Sequence, residues 1–208
     1  MPHSVTPRTN TTVNSNWPTA LSKRIYFPFL FLCICSFLGK FLLFKSFGLY
    51  EDDYWAVAPG FSMKLPEVLH QIIDCMLHWP QGRPLNHFLP TSFGYLGNAL
   101  GGLDYLYILA SIWLSLNAYL LYSIALHWLN IPSSLIVSLS YVLFPSDMTR
   151  QLTHAAAHVQ GAMTFTLLGW LLWLKPSRTR WLSYPVAALC LLSYELTFFT
   201  EIASKNRV

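Results

Sequence analysis

Residues 106–129 read LYILASIWLSLNAYLLYSIALHWL and contain no aspartate, glutamate, lysine or arginine. A helix rises about 1.5 Å per residue, so this segment extends over about 36 Å and exceeds the roughly 30 Å hydrocarbon core of a bilayer. An uncharged apolar stretch of this length is typical of a transmembrane helix. It therefore predicts that the protein is built on helices that lie in a membrane.

The composition of the whole chain points the same way. Of its 208 residues, 54% are hydrophobic and 11% are charged, whereas soluble domains carry about 25% charged residues. So few charges cannot cover an ordinary water-facing surface, and a disordered chain would be much less apolar. The formal net charge is only +4 and the basic residues are scattered, which speaks against a nucleic-acid partner. The four cysteines show no metal-ligand spacing and are expected to be small core residues.

Further apolar segments suggest more crossings, so we expect an all-α membrane protein with about five transmembrane helices. The additional segments are residues 25–44, 133–144, 155–174 and 181–199. The shortest of them, 133–144, has to tilt, to re-enter or to extend beyond Pro145 if it belongs to the membrane. Lys40, near the far end of the first segment, is expected to extend its ammonium group to the lipid headgroups. The expected organisation is a disordered cytoplasmic extension over 1–22, a membrane domain over 23–202 and a tail over 203–208.

The distribution of charge predicts the orientation. Lys23 and Arg24 precede the first segment, and residues 175–180 contain three basic residues. Cytoplasmic loops carry an excess of lysine and arginine, so the N-terminus is expected in the cytoplasm, as in a multi-pass protein of the bacterial inner membrane. The loop 46–103 then lies outside. It is longer than a connector requires, and five of the nine carboxylates fall within residues 51–74, which makes it the expected place for chemistry.

An amphipathic helix is expected within this loop, at residues 66–78. Its apolar positions lie on one helical face and its polar positions on the other. The apolar residues are Val68, Leu69, Ile72, Ile73, Met76 and Leu77, and the polar residues are Glu67, His70, Gln71 and Asp74. Beside a membrane such a helix lies in the interface plane, and the alternative is packing on other helices of the protein. Residues 86–100 are expected to form a second, less regular interfacial segment.

The loop opens with three carboxylates between aromatic residues, Tyr50-Glu51-Asp52-Asp53-Tyr54-Trp55. Adjacent like charges repel one another, so three carboxylates at the exit of a membrane helix are unfavourable to bring together. Such a cluster suits a general base that takes a proton from an acceptor hydroxyl, and it also suits a divalent metal ion. A third interpretation is a solvated loop. Tyr54 and Trp55 fit stacking on a sugar or a position in the aromatic belt of the interface.

Arg83 is the only arginine of the loop and stands between Gly82 and Pro84. Proline restricts the residue before it, so we expect the direction of the guanidinium to be fixed. A fixed guanidinium suits bidentate binding of a phosphate or, alternatively, an ion pair with a nearby carboxylate.

Two further groups of polar residues are candidate site residues, and both lie at the outer ends of the later predicted crossings. His154 and His158 are four residues apart and share one helical face. This pair fits a metal site, a polar wall of the same cavity or structural hydrogen bonding. Glu195 lies near the outer end of the last crossing, where an ionised carboxylate is unfavourable and is therefore either functional or paired with His154 or Arg150.

The acidic motif after the first crossing, the amphipathic helix and Gly-Arg-Pro-Leu at 82–85 together resemble the GT-C superfamily of multi-pass membrane glycosyltransferases. The resemblance extends over about residues 25–200 and is nearest to protein mannosyltransferases and lipopolysaccharide sugar transferases. Phe144-Pro145-Ser146-Asp147 and Ser193-Tyr194-Glu195 also look like that group. Members of the superfamily generally have more crossings, so the chain resembles a truncated or N-terminal portion of such an enzyme.

The resemblance implies an enzyme that transfers a sugar from a polyprenyl-phosphate donor to a hydroxyl of a glycan, lipid or protein on the outer face of the membrane. It makes Asp52 or Asp53 the base that activates the acceptor, with Asp53 preferred, and Arg83 the ligand of the donor phosphate. The residues expected to line the cavity are Glu51, Tyr54, Trp55, His154, His158 and Glu195. The resemblance fixes no cofactor, and a divalent metal is one option. The alternative functions are a non-catalytic assembly partner in the membrane and a transporter subunit.

Overall fold

The computed structural model describes residues 17–50, 52–78, 84–144, 153–174 and 178–193. All regular secondary structure within these ranges is helical, so the predicted all-α class is confirmed for them. Side chains are described for slightly shorter ranges, which leave out 17–25, Pro84, 153–156 and Arg178.

The described helices follow one another with short connections. Their bounds are α1 Trp17–Ser36, α2 Asp53–Ala56, α3 Ala58–Ser62, α4 Leu65–His78, α5 Pro84–Leu100, α6 Leu103–Ala125, α7 Ile131–Leu143, α8 Thr153–Leu174 and α9 Ser183–Ser193. A π-helical turn, Phe37–Phe41, continues α1, and a 3₁₀ turn, Arg178–Leu182, precedes α9. Helix α1 begins inside the extension expected at 1–22, and α4 begins one residue before its predicted start. The end of the predicted last crossing, 194–199, lies outside the described residues.

Helix α6 lies at the centre of the bundle and packs against α1, α5, α7 and α8. Its residues Leu106, Ala110, Leu114 and Ala118 are at most 1% exposed. Because they are spaced four residues apart, they lie on one face of the helix and form the middle of the core. The apolar segment 106–129, from which the sequence predicted a membrane helix, therefore also forms most of the helix around which the others pack.

Contacts along the helices show that neighbours alternate in direction. The ring of Phe29 lies 5.8 Å from that of Tyr119, and the ring of Phe41 lies 6.5 Å from that of Tyr107. Higher numbers in α1 therefore meet lower numbers in α6, and the two helices are antiparallel. Helix α7 runs back beside α6, and its last turn reaches the π-helical turn of α1.

Helices α8 and α9 continue this alternation. Gln160 bonds to Asn117 near the middle of α6, whereas Leu167 packs with Ile124 near the end of α6, so α8 and α6 are parallel. Trp173 near the end of α8 contacts Tyr184 at the start of α9, with ring centroids 6.1 Å apart. Helix α9 is therefore antiparallel to α8. We call the end where α6 starts the upper end and the end where α1 starts the lower end.

Two described helical segments are long and apolar enough to cross a membrane, Tyr26–Ser46 and Leu103–Ala125. Helix α7 is apolar but has only 13 residues, and α9 is described over 11 residues. Helix α8 has 22 residues, but His154, His158 and Gln160 interrupt its apolar sequence. Length and composition thus single out two of the five expected crossings.

Besides its apolar core, the bundle buries several polar side chains and exposes many apolar ones. Along α1 and the π-helical turn that continues it, an apolar stripe spaced at three or four residues is 50–69% exposed, and its members are Phe27, Leu30, Ile34, Leu38 and Leu42. The fully buried polar residues include Ser36, Ser115, Asn117, Ser134 and Ser138. A contiguous exposed apolar surface marks contact with lipid or protein, and small polar residues between helices are typical of packing inside membranes.

Exposed tryptophan and tyrosine side chains gather at both ends of the bundle. The lower end carries Tyr26, Trp128, Trp181 and Tyr184, and the upper end carries Tyr50, Tyr54, Trp55 and Tyr105. Each of these side chains is at least 46% exposed. Between the two groups α6 extends over 23 residues, or about 35 Å. Aromatic residues at this separation match the aromatic belts at the two surfaces of a bilayer.

A hydrogen-bond network connects α6, α7 and α8 near the middle of α6. Asn117 donates through Nδ2 to the backbone oxygen and to Oε1 of Gln160, at 2.9 and 3.0 Å, and accepts from the hydroxyl of Thr164 at 2.7 Å. Tyr141 donates to the same Oε1 at 2.5 Å, and Trp113 donates to Thr164 at 2.8 Å. Because these buried donors and acceptors pair with one another, the network joins three helices without leaving its polar groups in apolar surroundings.

Lys40 does not extend to the headgroups, and the expectation that it does so is wrong. Its side chain is only 9% exposed, and its ammonium nitrogen donates to the backbone oxygen of Phe144 at 2.9 Å. The π-helical turn brings Lys40 to the carboxyl end of α7. Backbone oxygens there have no helical N–H partner and attract a cation.

Helix α5 also differs from its prediction. The expected irregular segment at the interface is wrong, because Pro84–Leu100 is one regular helix that packs against α3, α4, α6 and α8. Its glycine at position 97 accommodates the side chain of Leu106, and Leu89 fills the space above Gly161 of α8. The glycines that weaken an apolar pattern in the sequence are thus the positions at which α5 approaches its neighbours.

Helix α3 packs closely on α5 through two further glycines. A methyl group at Gly60 would overlap the backbone oxygen of Thr91, and one at Gly94 would overlap the backbone oxygen of Val57. The hydroxyl of Thr91 also donates to the backbone oxygen of Ala56 at 3.0 Å. Backbone contacts therefore fix α2 and α3 on α5.

We expect Gly60→Ala to destabilise the fold by about 2 kcal/mol, because the added methyl group meets backbone atoms that cannot move independently. Gly48→Ala is the matched control, since nothing lies within 4 Å of a methyl group at that position. Thermal unfolding of the two purified variants measures the difference. Equal midpoints would contradict the close contact between α3 and α5.

Candidate functional site

The acidic motif lies at the upper end of the bundle, and its two described carboxylates differ in exposure. Asp53 is completely buried. Its Oδ2 accepts the backbone N–H of Tyr50 at 3.1 Å, and its own N–H donates to the Tyr50 oxygen at 2.7 Å. Asp52 is exposed, and its Oδ1 accepts the indole N–H of Trp55 at 3.1 Å. Asp53 thus closes the turn that begins α2, whereas Asp52 faces solvent.

Trp55 connects Asp52 with α4 and α5. Its indole ring stacks on the imidazole of His87, with centroids 5.5 Å apart and an angle of 4° between the planes. The amide nitrogen of Gln71 lies 2.9 Å from Nε2 of His87. The two side chains are thus joined by a hydrogen bond whose direction depends on the tautomer of the histidine. Asp52, Trp55, His87 and Gln71 form a continuous series of contacts, which we call the Asp52–Gln71 chain.

The segment before the acidic motif is held by α6. The hydroxyl of Tyr107 donates to the backbone oxygen of Gly48 at 2.6 Å, and the ring of Phe47 packs edge-on against that of Tyr107 at 5.1 Å. Tyr107 is completely buried in the core. The position of the motif at the upper end is therefore fixed by the start of the central helix.

An open groove of about 530 Å³ runs along α4. Its lining residues are Met63, Pro66, Glu67, His70, Gln71 and Asp74. Glu67 accepts the backbone N–H of Lys64 at 2.8 Å, and Asp74 contacts His78 at 3.0 Å. Both partners of the second pair are more than 60% exposed, so that pair contributes little to stability. Gln71 is the residue shared by the groove and the Asp52–Gln71 chain.

The other predicted site residues are placed only in part. Tyr54 is 65% exposed at the upper end, and His158 is 8% exposed in α8. Glu51, Arg83, Glu195 and the side chain of His154 lie outside the described residues. The role of Arg83 as ligand of the donor phosphate therefore stays a prediction.

Metal ligation and thiol chemistry depend on how His, Cys, Asp and Glu side chains are grouped and buried. In those ranges no group of three or more His, Cys, Asp or Glu side chains is arranged to hold a metal ion. The four cysteines are free; Cys75 and Cys190 are buried, as expected for small core residues, whereas Cys33 and Cys35 are only half-buried. Burial raises the pKa of the Cys75 thiol, and the nearby charge of Asp74 raises it further. Cys75 is therefore a neutral thiol at neutral pH and a poor nucleophile.

His87 and Gln71 take positions that the sequence patterns did not assign to the site. Gln71 belongs to the polar positions of the amphipathic helix, and His87 is a single histidine in an apolar segment. Neither has a spacing that indicates chemistry. They meet because α4 packs against α5, which is a property of the tertiary structure.

Comparison with known proteins gives no relative from which a role can be transferred. No protein-family model, no curated protein and no solved structure matches the chain. The function is therefore inferred from the residues, their exposure and their contacts.

Proposed function

We propose that the protein is a multi-pass membrane protein whose upper end lies on the outer side of the bilayer. The exposed apolar stripe of α1 and the aromatic residues at both ends support this placement. A surface of this kind in water is prone to association. A hydrocarbon core of roughly 30 Å covers it and places the tryptophan and tyrosine side chains at the two interfaces.

The proposed crossings are α1, α6, α7, α8 and α9. Their alternating directions are those of a chain that passes back and forth through a bilayer. Lys23 and Arg24 belong to the beginning of α1 at the lower end, where the guanidinium of Arg180 lies 3.7 Å from the ring centre of Trp173. In the sequence, Lys175 and Arg178 stand close to Arg180. Cytoplasmic loops are rich in such residues, which supports a cytoplasmic lower end.

We propose further that the upper end carries the site of a sugar transferase that uses a lipid-linked donor. The observation that carries this function is the exposed carboxylate of Asp52, oriented by the Trp55 indole at the outer aromatic belt. A general base has to lie within hydrogen-bond reach of the acceptor hydroxyl. Asp52 is exposed and is open to an acceptor from solvent, whereas Asp53 is completely buried. We therefore assign the base to Asp52 and a positioning role to Asp53, which reverses the preference drawn from the resemblance.

In the proposed reaction the acceptor oxygen attacks the anomeric carbon of the donor sugar from the side opposite the phosphate. The new glycosidic bond forms as the bond from the anomeric carbon to the phosphate oxygen breaks, and Asp52 takes the acceptor proton. The polyprenyl phosphate leaves with the electron pair, and Arg83 is the proposed partner of its developing negative charge. Tyr54 and Trp55 provide exposed aromatic surface for the sugar at this end.

Reconstitution of the purified chain in phosphatidylcholine vesicles tests both parts of this function. We expect the protein to resist extraction by alkaline carbonate and to transfer sugar from a polyprenyl-phosphate donor to a hydroxyl acceptor, detected by mass spectrometry of the product. Release from the vesicles by carbonate would overturn the membrane placement. Retention without transfer from any of a panel of polyprenyl-phosphate hexoses and pentoses would overturn the transferase and leave a non-catalytic membrane protein.

A further inference from the structure

Helix α4 has three faces rather than the two expected from its sequence. One face packs on α5 and consists of Val68, Gln71, Ile72 and Cys75. A second face is polar and consists of Glu67, His70, Asp74 and His78. The third face is apolar yet 47–71% exposed, and its residues are Leu65, Leu69, Ile73, Met76 and Leu77. At about 100° per residue each face takes roughly a third of the helix circumference.

These three faces require three different surroundings. The first face is covered by α5, and the polar face is hydrated by water. An exposed face of five large apolar residues needs a third, apolar environment, because contact of apolar surface with water is unfavourable. Protein, water and hydrocarbon meet along one line only where a membrane protein emerges from the bilayer.

The position of α4 in the fold agrees with such a line. Gln71 of α4 contacts His87, and His87 stacks on Trp55, which belongs to the aromatic group of the upper end. Helix α4 is thus at the level proposed for the outer membrane surface. Its 14 residues extend over about 21 Å, which is too short to cross a bilayer. Its polar face carries Glu67 and Asp74, so anionic lipid headgroups are disfavoured.

We propose that the exposed apolar face of α4 inserts into the outer leaflet, at the boundary between the headgroups and acyl chains of zwitterionic lipids. This inference rests on the membrane part of the proposed function and is independent of the transferase chemistry. Insertion holds the Asp52–Gln71 chain level with the lipid headgroups. That is also the level at which the phosphate of a lipid-linked substrate lies, so α4 places the candidate base beside its substrate.

Fluorescence quenching by lipids tests this contact in the full-length protein. A genetically encoded fluorescent amino acid is placed at Ile73 on the apolar face, at His70 on the polar face or at Leu38 in the exposed stripe of α1. Each variant is reconstituted in phosphatidylcholine brominated near the headgroup end of its acyl chains. We expect bromination to quench the label at position 73 at least twofold more strongly than the label at position 70. The label at position 38 is the reference for lipid contact.

The possible outcomes separate this inference from the function on which it rests. Quenching at position 38 but equally weak quenching at 70 and 73 would overturn the insertion of α4 while leaving the membrane placement intact. The absence of quenching at all three positions would overturn the membrane placement as well. Quenching at position 73 that disappears as the ratio of protein to lipid rises would assign the face to contact with a second copy of the chain. A label at Leu69 repeats the measurement if the variant at Ile73 fails to fold.

Discussion

Asp52→Asn is expected to lower the rate of sugar transfer by about 10²- to 10⁴-fold, which is the usual contribution of a general base. Asparagine preserves the size of the side chain, and its amide oxygen still accepts the indole N–H of Trp55. It cannot take a proton from the acceptor hydroxyl. The expected loss therefore reflects chemistry and not local structure, and it is measured as the initial rate of product formation in the reconstituted vesicles.

Asp104→Asn is the matched control for this prediction. Asp104 is also an exposed carboxylate at the upper end, in the first turn of α6. We expect it to leave the transfer rate within about twofold of the original, and neither variant should change the midpoint of thermal unfolding. If Asp52→Asn retains more than a tenth of the rate, Asp52 is not the base.

Asn117→Leu is expected to lower the free energy of unfolding by about 3 kcal/mol. Leucine has a similar volume, so the change removes polar contacts rather than packing. Two hydrogen bonds to Gln160 and one from Thr164 disappear, and each contributes about 1 kcal/mol. Gln160 keeps the bond from Tyr141, but its buried amide loses the partner that connects α8 to α6.

The control for Asn117→Leu is the same substitution at Asn98, whose side chain is exposed near the end of α5. Both variants are unfolded by titration with dodecyl sulfate in mixed micelles, and helix content is followed by circular dichroism. We expect Asn98→Leu to change stability by less than about 0.5 kcal/mol. Equal effects of the two substitutions would show that the network does not hold α6 and α8 together.

Helices were the part of the structure that the sequence predicted well. The apolar run at 106–129 predicted the central helix, and its predicted end lies four residues after the observed end of α6. The pattern at 66–78 predicted both ends of α4 to within one residue. Both predictions rest on local physics, because helical length and hydrophobic periodicity are properties of contiguous residues. The positions of aspartate and glutamate in the sequence likewise placed five of the nine carboxylates in the loop between the first two apolar segments.

Predictions that depended on partners were less successful. Lys40 looks like a snorkelling lysine because it stands near the end of an apolar run, yet it binds the carboxyl end of α7. Residues 86–100 look irregular because they contain proline and glycine, yet these glycines allow α5 to approach α3 and α6. Periodicity reports how polar a face is and does not report which neighbour covers it.

The sequence alone determined that the chain is helical, that apolar segments dominate it and that its carboxylates cluster after the first segment. The tertiary structure alone decided which of two adjacent aspartates is reachable. Asp52 and Asp53 have the same side chain and the same sequence surroundings, but one is exposed and the other is completely buried. The difference arises because Asp53 closes the turn on Tyr50 while α2 and α3 pack on α5. Burial depends on contacts between segments distant in sequence, and these contacts leave no local pattern.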